Sequence, residues 1–385
     1  MNRRKSRPQA KKMLAMLLVL PIAVWGTWRA MPTLMQIAAK AAMVSAYCNM
    51  PEGSLAVLEE RFNSELFGQS EKENPTVPKK PDITYDSPPL SEDEESVPDP
   101  EPYEEELVER DIPPQYRGII KELQYGADLT LPYIPLAAGH LKNTTKLKNE
   151  QVQKELDKPL ELGITQTDEP QVLIVHTHAT EAYEPVNSES YDTRGTWRDT
   201  DNTNNMVQVG NRIADELTAK GIGVIHDDTQ HDYPTYNGAY ERSAKTVQGW
   251  LEKYPSIKVV LDVHRDAIQP EDDTIVKAVA IIDGRKAAQV MIITGCDDGT
   301  MNVPDWAYNL RFAASLQSTA EAKYEGLMRP IFFCYRKYNM DLTRGSILLE
   351  FGSHGNTLKE AEYSGELIGK ALAELLETQR NENTK

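Results

Sequence analysis

The sequence predicts an α/β fold whose sheet is mainly parallel and flanked by helices, set behind an N-terminal membrane anchor. Three observations predict it. Short apolar, β-branched runs alternate with longer amphipathic segments from about residue 171 to residue 379. Three of those runs end in side chains able to bind a metal or move a proton, and sites in open α/β sheets form beyond the carboxyl ends of strands. The first residues join a basic tail to an apolar run.

Residues 1–31 are expected to be a cytoplasmic basic tail and a transmembrane anchor. Arg3, Arg4, Lys5, Arg7, Lys11 and Lys12 precede the apolar stretch Met13–Trp28, with no acid among them. Such a flank holds the N-terminus in the cytoplasm and sends the rest across the membrane. A spanning helix wants about 20 apolar residues, and Trp25, Trp28 and Arg29 can extend this shorter run at the interface. The competing reading, a cleaved signal peptide, lacks a small-x-small site after the run. Residues 32–63 read as a juxtamembrane helix rich in Ala, Met and Leu. Residues 64–113, dominated by Pro, Ser, Glu and Asp, read as an extended acidic linker. Residues 114–385 are expected to form the α/β domain.

Within that domain the pattern predicts a strand at 171–176, then a helix over 205–220 with Met206, Val209, Ile213 and Leu217 on one face. Gly221 stands where a helix stop belongs. A strand at 222–226, a helix at 239–253 ended before Pro255, and a strand at 257–263 follow. Strands near 277–282 and 290–294 read as a hairpin turned at Asp283-Gly284-Arg285. A helix at 306–324, strands at 330–335 and 346–351, and a long final helix at 357–379 complete the alternation.

The chain carries a net charge of −17, which makes it a poor nucleic-acid binder. Its three cysteines, Cys48, Cys296 and Cys334, have no CxxC spacing, so a zinc–thiolate site is not expected. Cys296 and Cys334 both follow apolar runs and read as buried thiols, with a disulfide between them left open.

The chemistry concentrates at three strand ends. The first offers His176, His178 and Glu181, the second Asp262, His264 and Arg265, the third Glu350. Imidazole and carboxylate suit a hydrolytic zinc, which keeps one position for water and wants a carboxylate nearby as general base. With an extended backbone, His176 and His178 share a side, as do Asp262 and His264. Asp262 can then orient an imidazole, and Arg265, pointing the other way, can receive a substrate carboxylate. Glu350 is the most telling residue, because acids are rarely buried without a partner; an ion pair with Arg336 or Arg344 is the plainer alternative. His226 and His231 read as loop residues or substrate contacts, and His354 as a residue of the site mouth or the surface.

The stretches Val172–Tyr183 (VLIVHTHATEAY), Asn205–Gly210 (NMVQVG), Asp262–Asp266 (DVHRD) and Ile347–Asn356 (ILLEFGSHGN) resemble the stage II sporulation protein P family over about residues 110–380. The resemblance implies a membrane-anchored, zinc-dependent peptidoglycan hydrolase of endospore-forming bacteria. It would cleave the amide between N-acetylmuramic acid and L-alanine, act as an endopeptidase on peptide cross-links, and work at the sporulation septum with stage II sporulation proteins D and M during engulfment. It also implies a domain similar to zinc-dependent N-acetylmuramoyl-L-alanine amidases, with a His/Glu/His ligand set and a catalytic Glu. Carried over, His264 is a ligand, Glu350 the base, and the first histidine is His176 or His178. The segment 199–205, where such amidases place the ligating Glu, has none, and Glu181 stands in for it. A non-catalytic module that binds peptidoglycan or a partner is the alternative.

Overall fold

The computed structural model describes residues 105–126 and 133–382. The expected anchor, juxtamembrane helix and most of the expected linker lie outside these residues. Among the described residues no helix is long and apolar enough to cross a membrane.

A single 3-10 turn at Pro114–Tyr116 leads into β1 (Arg117–Leu123), followed by β2 (Ile134–Pro135), β3 (His140–Asn143) and helix α1 (Asn149–Leu156). Then come β4 (Val172–Val175), β5 (Ser190–Asp192), α2 (Val207–Ala219), β6 (Val224–His226), α3 (Ala239–Lys253) and β7 (Val259–Asp266). The chain closes with β8 (Thr274–Ile282), β9 (Arg285–Ala288), β10 (Val290–Gly295), α4 (Trp306–Lys323), β11 (Ile331–Cys334), β12 (Gly345–Ser353) and α5 (Leu358–Glu382).

The larger sheet has eight strands in the order β2-β3-β11-β10-β12-β7-β4-β6. Its centre is parallel: β6, β4, β7 and β12 all run one way. β10 is antiparallel to β12, and β2 is antiparallel to β3. A second sheet of four strands, β5-β1-β8-β9, mixes both senses again. Both sheets are therefore mixed, which corrects the mainly parallel expectation. The cause is legible at one turn. Asp283 and Gly284 both take positive φ, the geometry of a tight hairpin turn, and fold β8 onto β9. β10 then leaves for the larger sheet and enters it reversed, so the expected pairing of 277–282 with 290–294 does not form.

Every residue of β4, β7, β10 and β12 is buried, so helices must cover both faces. Val172 and Ile174 belong to the core cluster that also holds Val209 and Ile213 of α2 and Leu367 and Leu372 of α5. Leu173, Val175 and Val260 face the other way, onto Val247 and Trp250 of α3. The two-residue period of each strand thus assigns side chains to an α2/α5 face or an α3 face. Cys296 packs in the α2/α5 cluster and Cys334 in a separate one with Ile293, Phe332 and Met340, and both thiols are free, their pKa pushed up to about 12 by burial.

The second sheet is tied to α5 by a buried cation. Lys277 of β8 reaches Glu360 Oε1 at 2.6 Å and Asn187 Oδ1 at 2.7 Å, while Glu360 Oε2 receives the Thr357 N–H at 3.1 Å and caps the helix. Residues 105–113, assigned to the linker by composition, lie against the domain instead. Val108 N–H donates to Asn187 O, Arg110 pairs with Glu184 at 2.5 Å, and Ile112 is buried.

Candidate metal centre

The centre forms where β4, β7 and β12 end. β4 stops at Val175, and a turn at residues 177–180 follows, closed by the Glu181 N–H donating to His178 O. Asp262 pins this turn: its Oδ1 accepts the Thr177 N–H at 2.8 Å and its Oδ2 the Thr177 hydroxyl at 2.6 Å. The turn carries His178 over the strand tip to the α3 face, where Asp262 and His264 already point. Tyr236 stacks on the His178 ring at 4.6 Å, and Tyr240 of α3 lies edge-on at 5.5 Å.

His178, Glu181 and His264 meet there, one donor atom from each, all within 4.8 Å of one another and all buried. His178 Nδ1 lies 3.6 Å from Glu181 Oε1, and His264 Nδ1 lies 3.6 Å from Glu181 Oε2. These gaps are too long for hydrogen bonds. They are close to the edge of about 3.3 Å expected for a tetrahedron of nitrogen and oxygen ligands around zinc. The fourth side of His264 is fixed, because its Nε2–H donates to Asp262 Oδ1 at 2.8 Å and leaves Nδ1 facing the cluster.

Glu350 stands beside His264 in register on the neighbouring strand, 2 % exposed, and its Oε2 has no hydrogen-bond partner. Immediately after it, Gly352 at φ 63° breaks the ladder with a register shift. A Cβ on Gly352 would meet Asn356 Oδ1 at 2.5 Å, so both the backbone angle and the close approach call for glycine. A buried carboxylate oxygen left unpaired is costly, and one placed beside the His264 imidazole and the Glu181 carboxylate is an arrangement a divalent cation resolves. The donor set, the gaps and the orphaned oxygen all fit zinc.

The electrostatics of the cluster agree. Burial alone would raise Glu181, but His178, His264 and Arg198 around it hold its carboxyl well below the usual range. Burial disfavours charge on His264, yet Asp262 and Glu181 outweigh it and raise the imidazole well above its ordinary value. Burial, reinforced by the Asp266 charge, pushes Glu350 well up.

The remaining sequence candidates separate cleanly. His176 is not in the cluster: it stays on the α2 face, its Nε2 2.8 Å from His226 Nε2 and its Nδ1–H on Val263 O at 2.9 Å. The expected shared side of His176 and His178 fails because the strand ends at Val175, and alternation holds only while the backbone is extended. Arg265 is not open to a substrate either. Its three side-chain nitrogens donate to the backbone oxygens of Ala182, Asp266 and Trp197, at 2.7, 3.2 and 3.0 Å. It braces the loop that carries Glu181. His231 bonds His176 O and Thr246, and the His354 ring lies 4.7 Å from that of Trp197. Arg344, one of the two partners considered for Glu350, instead meets Asp305 at 3.3 Å. Sequence reasoning missed Arg198, Asp232 and Tyr236, which border the cluster from loops without periodicity, and Tyr240, which borders it from the first turn of α3.

A family model for stage II sporulation protein P matches residues 136–373. The chain belongs to that family. The match spans every strand end described above. Stage II sporulation protein P of Bacillus subtilis (strain 168) is 26% identical over 244 residues, covering 60% of this chain and 58% of that relative, so the chain spans little more than half the length of the curated relative it matches. Among solved structures, the N-acetylmuramyl-L-alanine amidase Ami1 of Mycobacterium smegmatis aligns with 10% identity and a TM-score of 0.32, over 55% of this chain and 100% of that one. The CwlD amidase of Clostridioides difficile, solved in complex with the GerS lipoprotein, aligns with 11% identity and a TM-score of 0.33, over 54% and 98%.

Proposed function

We propose that this protein is a zinc-dependent peptidoglycan hydrolase of sporulation that cleaves the amide between N-acetylmuramic acid and L-alanine, and peptide cross-links as an endopeptidase. The observation that carries the reading is the convergence of His178, Glu181 and His264, with the unpaired Oε2 of Glu350 on the strand beside His264. Family membership supports the cell-wall assignment.

His178, Glu181 and His264 would hold the metal. Asp262 fixes the His264 tautomer through Nε2–H, and the same carboxylate locks the turn that delivers His178. When bound, zinc supplies a lowered water pKa and a polarised scissile carbonyl. Glu350 Oε2 takes the proton of the attacking water and delivers it to the leaving amine nitrogen. Tyr236 and Tyr240 wall the cluster on the α3 side and keep bulk water from the imidazoles.

The tether is part of the reading. A basic tail and apolar anchor over 1–31, a helix over 32–63 and an acidic linker from 64 would hold the domain outside the cell membrane, at the sporulation septum, within reach of peptidoglycan and of stage II sporulation proteins D and M. The test uses the full chain in detergent with purified cell wall. Mass spectrometry is expected to find released stem peptides, lost with a chelator and restored by zinc. Stoichiometric binding of cell wall with no bond cleaved under any metal would overturn the hydrolase in favour of a binding module.

A further inference from the structure

Two arginines border the metal cluster, and they differ in what their donors do. Arg265 is 7 % exposed and spends every side-chain nitrogen on backbone oxygens. Arg198 has a side chain 35 % exposed, and only Nη1 is engaged, by Asp232 Oδ2 at 2.7 Å and Thr180 Oγ1 at 3.4 Å. Its Nη2 stops 3.6 Å from Glu181 Oε1, outside hydrogen-bonding range. One edge of the guanidinium therefore carries donors without a hydrogen bond, next to the cluster.

The surroundings hold that edge in place. Asp232, whose side chain is fully buried, is itself fixed by the Thr180 hydroxyl at 2.5 Å. The guanidinium carbon lies 5.1 Å from the centre of the Tyr236 ring, the same ring that stacks on His178. The residue before it, Trp197, takes φ 43°, a left-handed conformation rare for a bulky side chain. Three bonds enforce it: Trp197 O accepts from Ala182 N–H and from Arg265 Nη2, each at 3.0 Å, and the indole N–H donates to Glu184 at 2.5 Å. Strain that the surroundings over-determine is typical of positions whose aim matters. Here it aims the next residue, and Arg198 pairs its backbone with that of Glu181.

We propose that Arg198 is the substrate anchor of this site and binds a carboxylate of the stem peptide next to the scissile bond. The proposal rests on the peptidoglycan reading above. A guanidinium held on one edge and open on the other presents a two-pronged fork to a planar anion, which a lysine cannot reproduce. Glu181 and Asp262 are acids at the cluster, and a cation with open donors beside them favours the approach of an acidic peptide.

The experiment compares two probes on the zinc-loaded full chain: an acidic stem tripeptide with free carboxylates, and the same peptide with its carboxylates amidated. Binding is read by calorimetry and cleavage of matching muropeptides by kcat and KM. The free-carboxylate form is expected to bind about tenfold more tightly than the amidated one. Arg198→Gln is expected to remove that preference through KM while zinc content stays at one per chain, and Arg198→Lys to restore part of it. Equal affinity of the two probes for the unaltered protein overturns the proposal, as does loss of zinc in Arg198→Gln, which would make Arg198 only a support for Glu181. A preference for the free carboxylate in a protein that cleaves nothing would sink the hydrolase reading and leave the anion anchor standing.

Discussion

His176 and His178 leave the same strand end two residues apart and enter opposite environments. On the α2 face, His176 and His226 close on each other. Their Nε2 atoms are 2.8 Å apart, and their Nδ1 atoms meet Val263 O and Asn211 Oδ1. Gly210 of α2 presses on them so tightly that a Cβ there would lie 2.4 Å from one ring and 2.7 Å from the other. Neither ring hydrogen-bonds a carboxylate, and burial outweighs the more distant charges of Asp228, Asp227 and Asp215 on His226 and of Asp262 on His176, lowering the two pKa values to about 4 and about 3. On the α3 face, His178 and His264 share Glu181 between their Nδ1 atoms, and Asp262 backs His264. What separates a packed histidine from a ligand here is the carboxylate beside it, not the strand it ends.

The comparison breaks most sharply under alanine. His178→Ala and His264→Ala should each lose stoichiometric zinc and drop cell-wall hydrolysis by about a thousandfold or more, while His176→Ala keeps its zinc; elemental analysis and turnover decide it. Glu350→Gln is the next largest change. It should keep zinc yet lose about 10²–10⁴ in kcat, because only the proton acceptor is removed. Asp262→Asn should then weaken zinc by about 10- to 100-fold, measured by competition with a chelator, because His264 loses its fixed tautomer.

The smallest effect sharpens the other side. His176 and His226 have folded-state pKa values below the unfolded value of 6.5, so the unfolded chain binds more protons as pH falls. Their contribution to stability is whole above about pH 6.5 and declines from there toward pH 4 and 3. A His226→Gln variant should show a shallower loss of Tm across that window, and an unchanged acid slope would contradict the pairing.

Much of the domain was legible in the sequence because its central strands are apolar and buried throughout and its helices α2 and α3 are strongly amphipathic. The helix at Ala239–Lys253 and the strand tips bearing His264 and Glu350 fall where periodicity put them. The second sheet was not legible. β1 alternates weakly, with Ile119 and Leu123 about half exposed, and β5 has only three residues, so neither carries a strand signal apart from its partners. The entry of β10 into the larger sheet is a tertiary choice that no local pattern fixes. At the site, residue type identified the donors, and chain geometry decided among them. The turn after Val175 chose His178 over His176, and backbone oxygens claimed Arg265. Arg198 and Tyr236 sit in loops whose composition says only that they are polar, and their placement depends on the Trp197 conformation and on Asp232.

The most direct measurement is zinc-edge anomalous scattering from crystals of the zinc-loaded protein. The account predicts one strong peak at ligand distance from His178, Glu181 and His264, with Glu350 alongside it and nothing at the His176–His226 pair. A peak on that imidazole pair, with His178 and His264 bare, would contradict it.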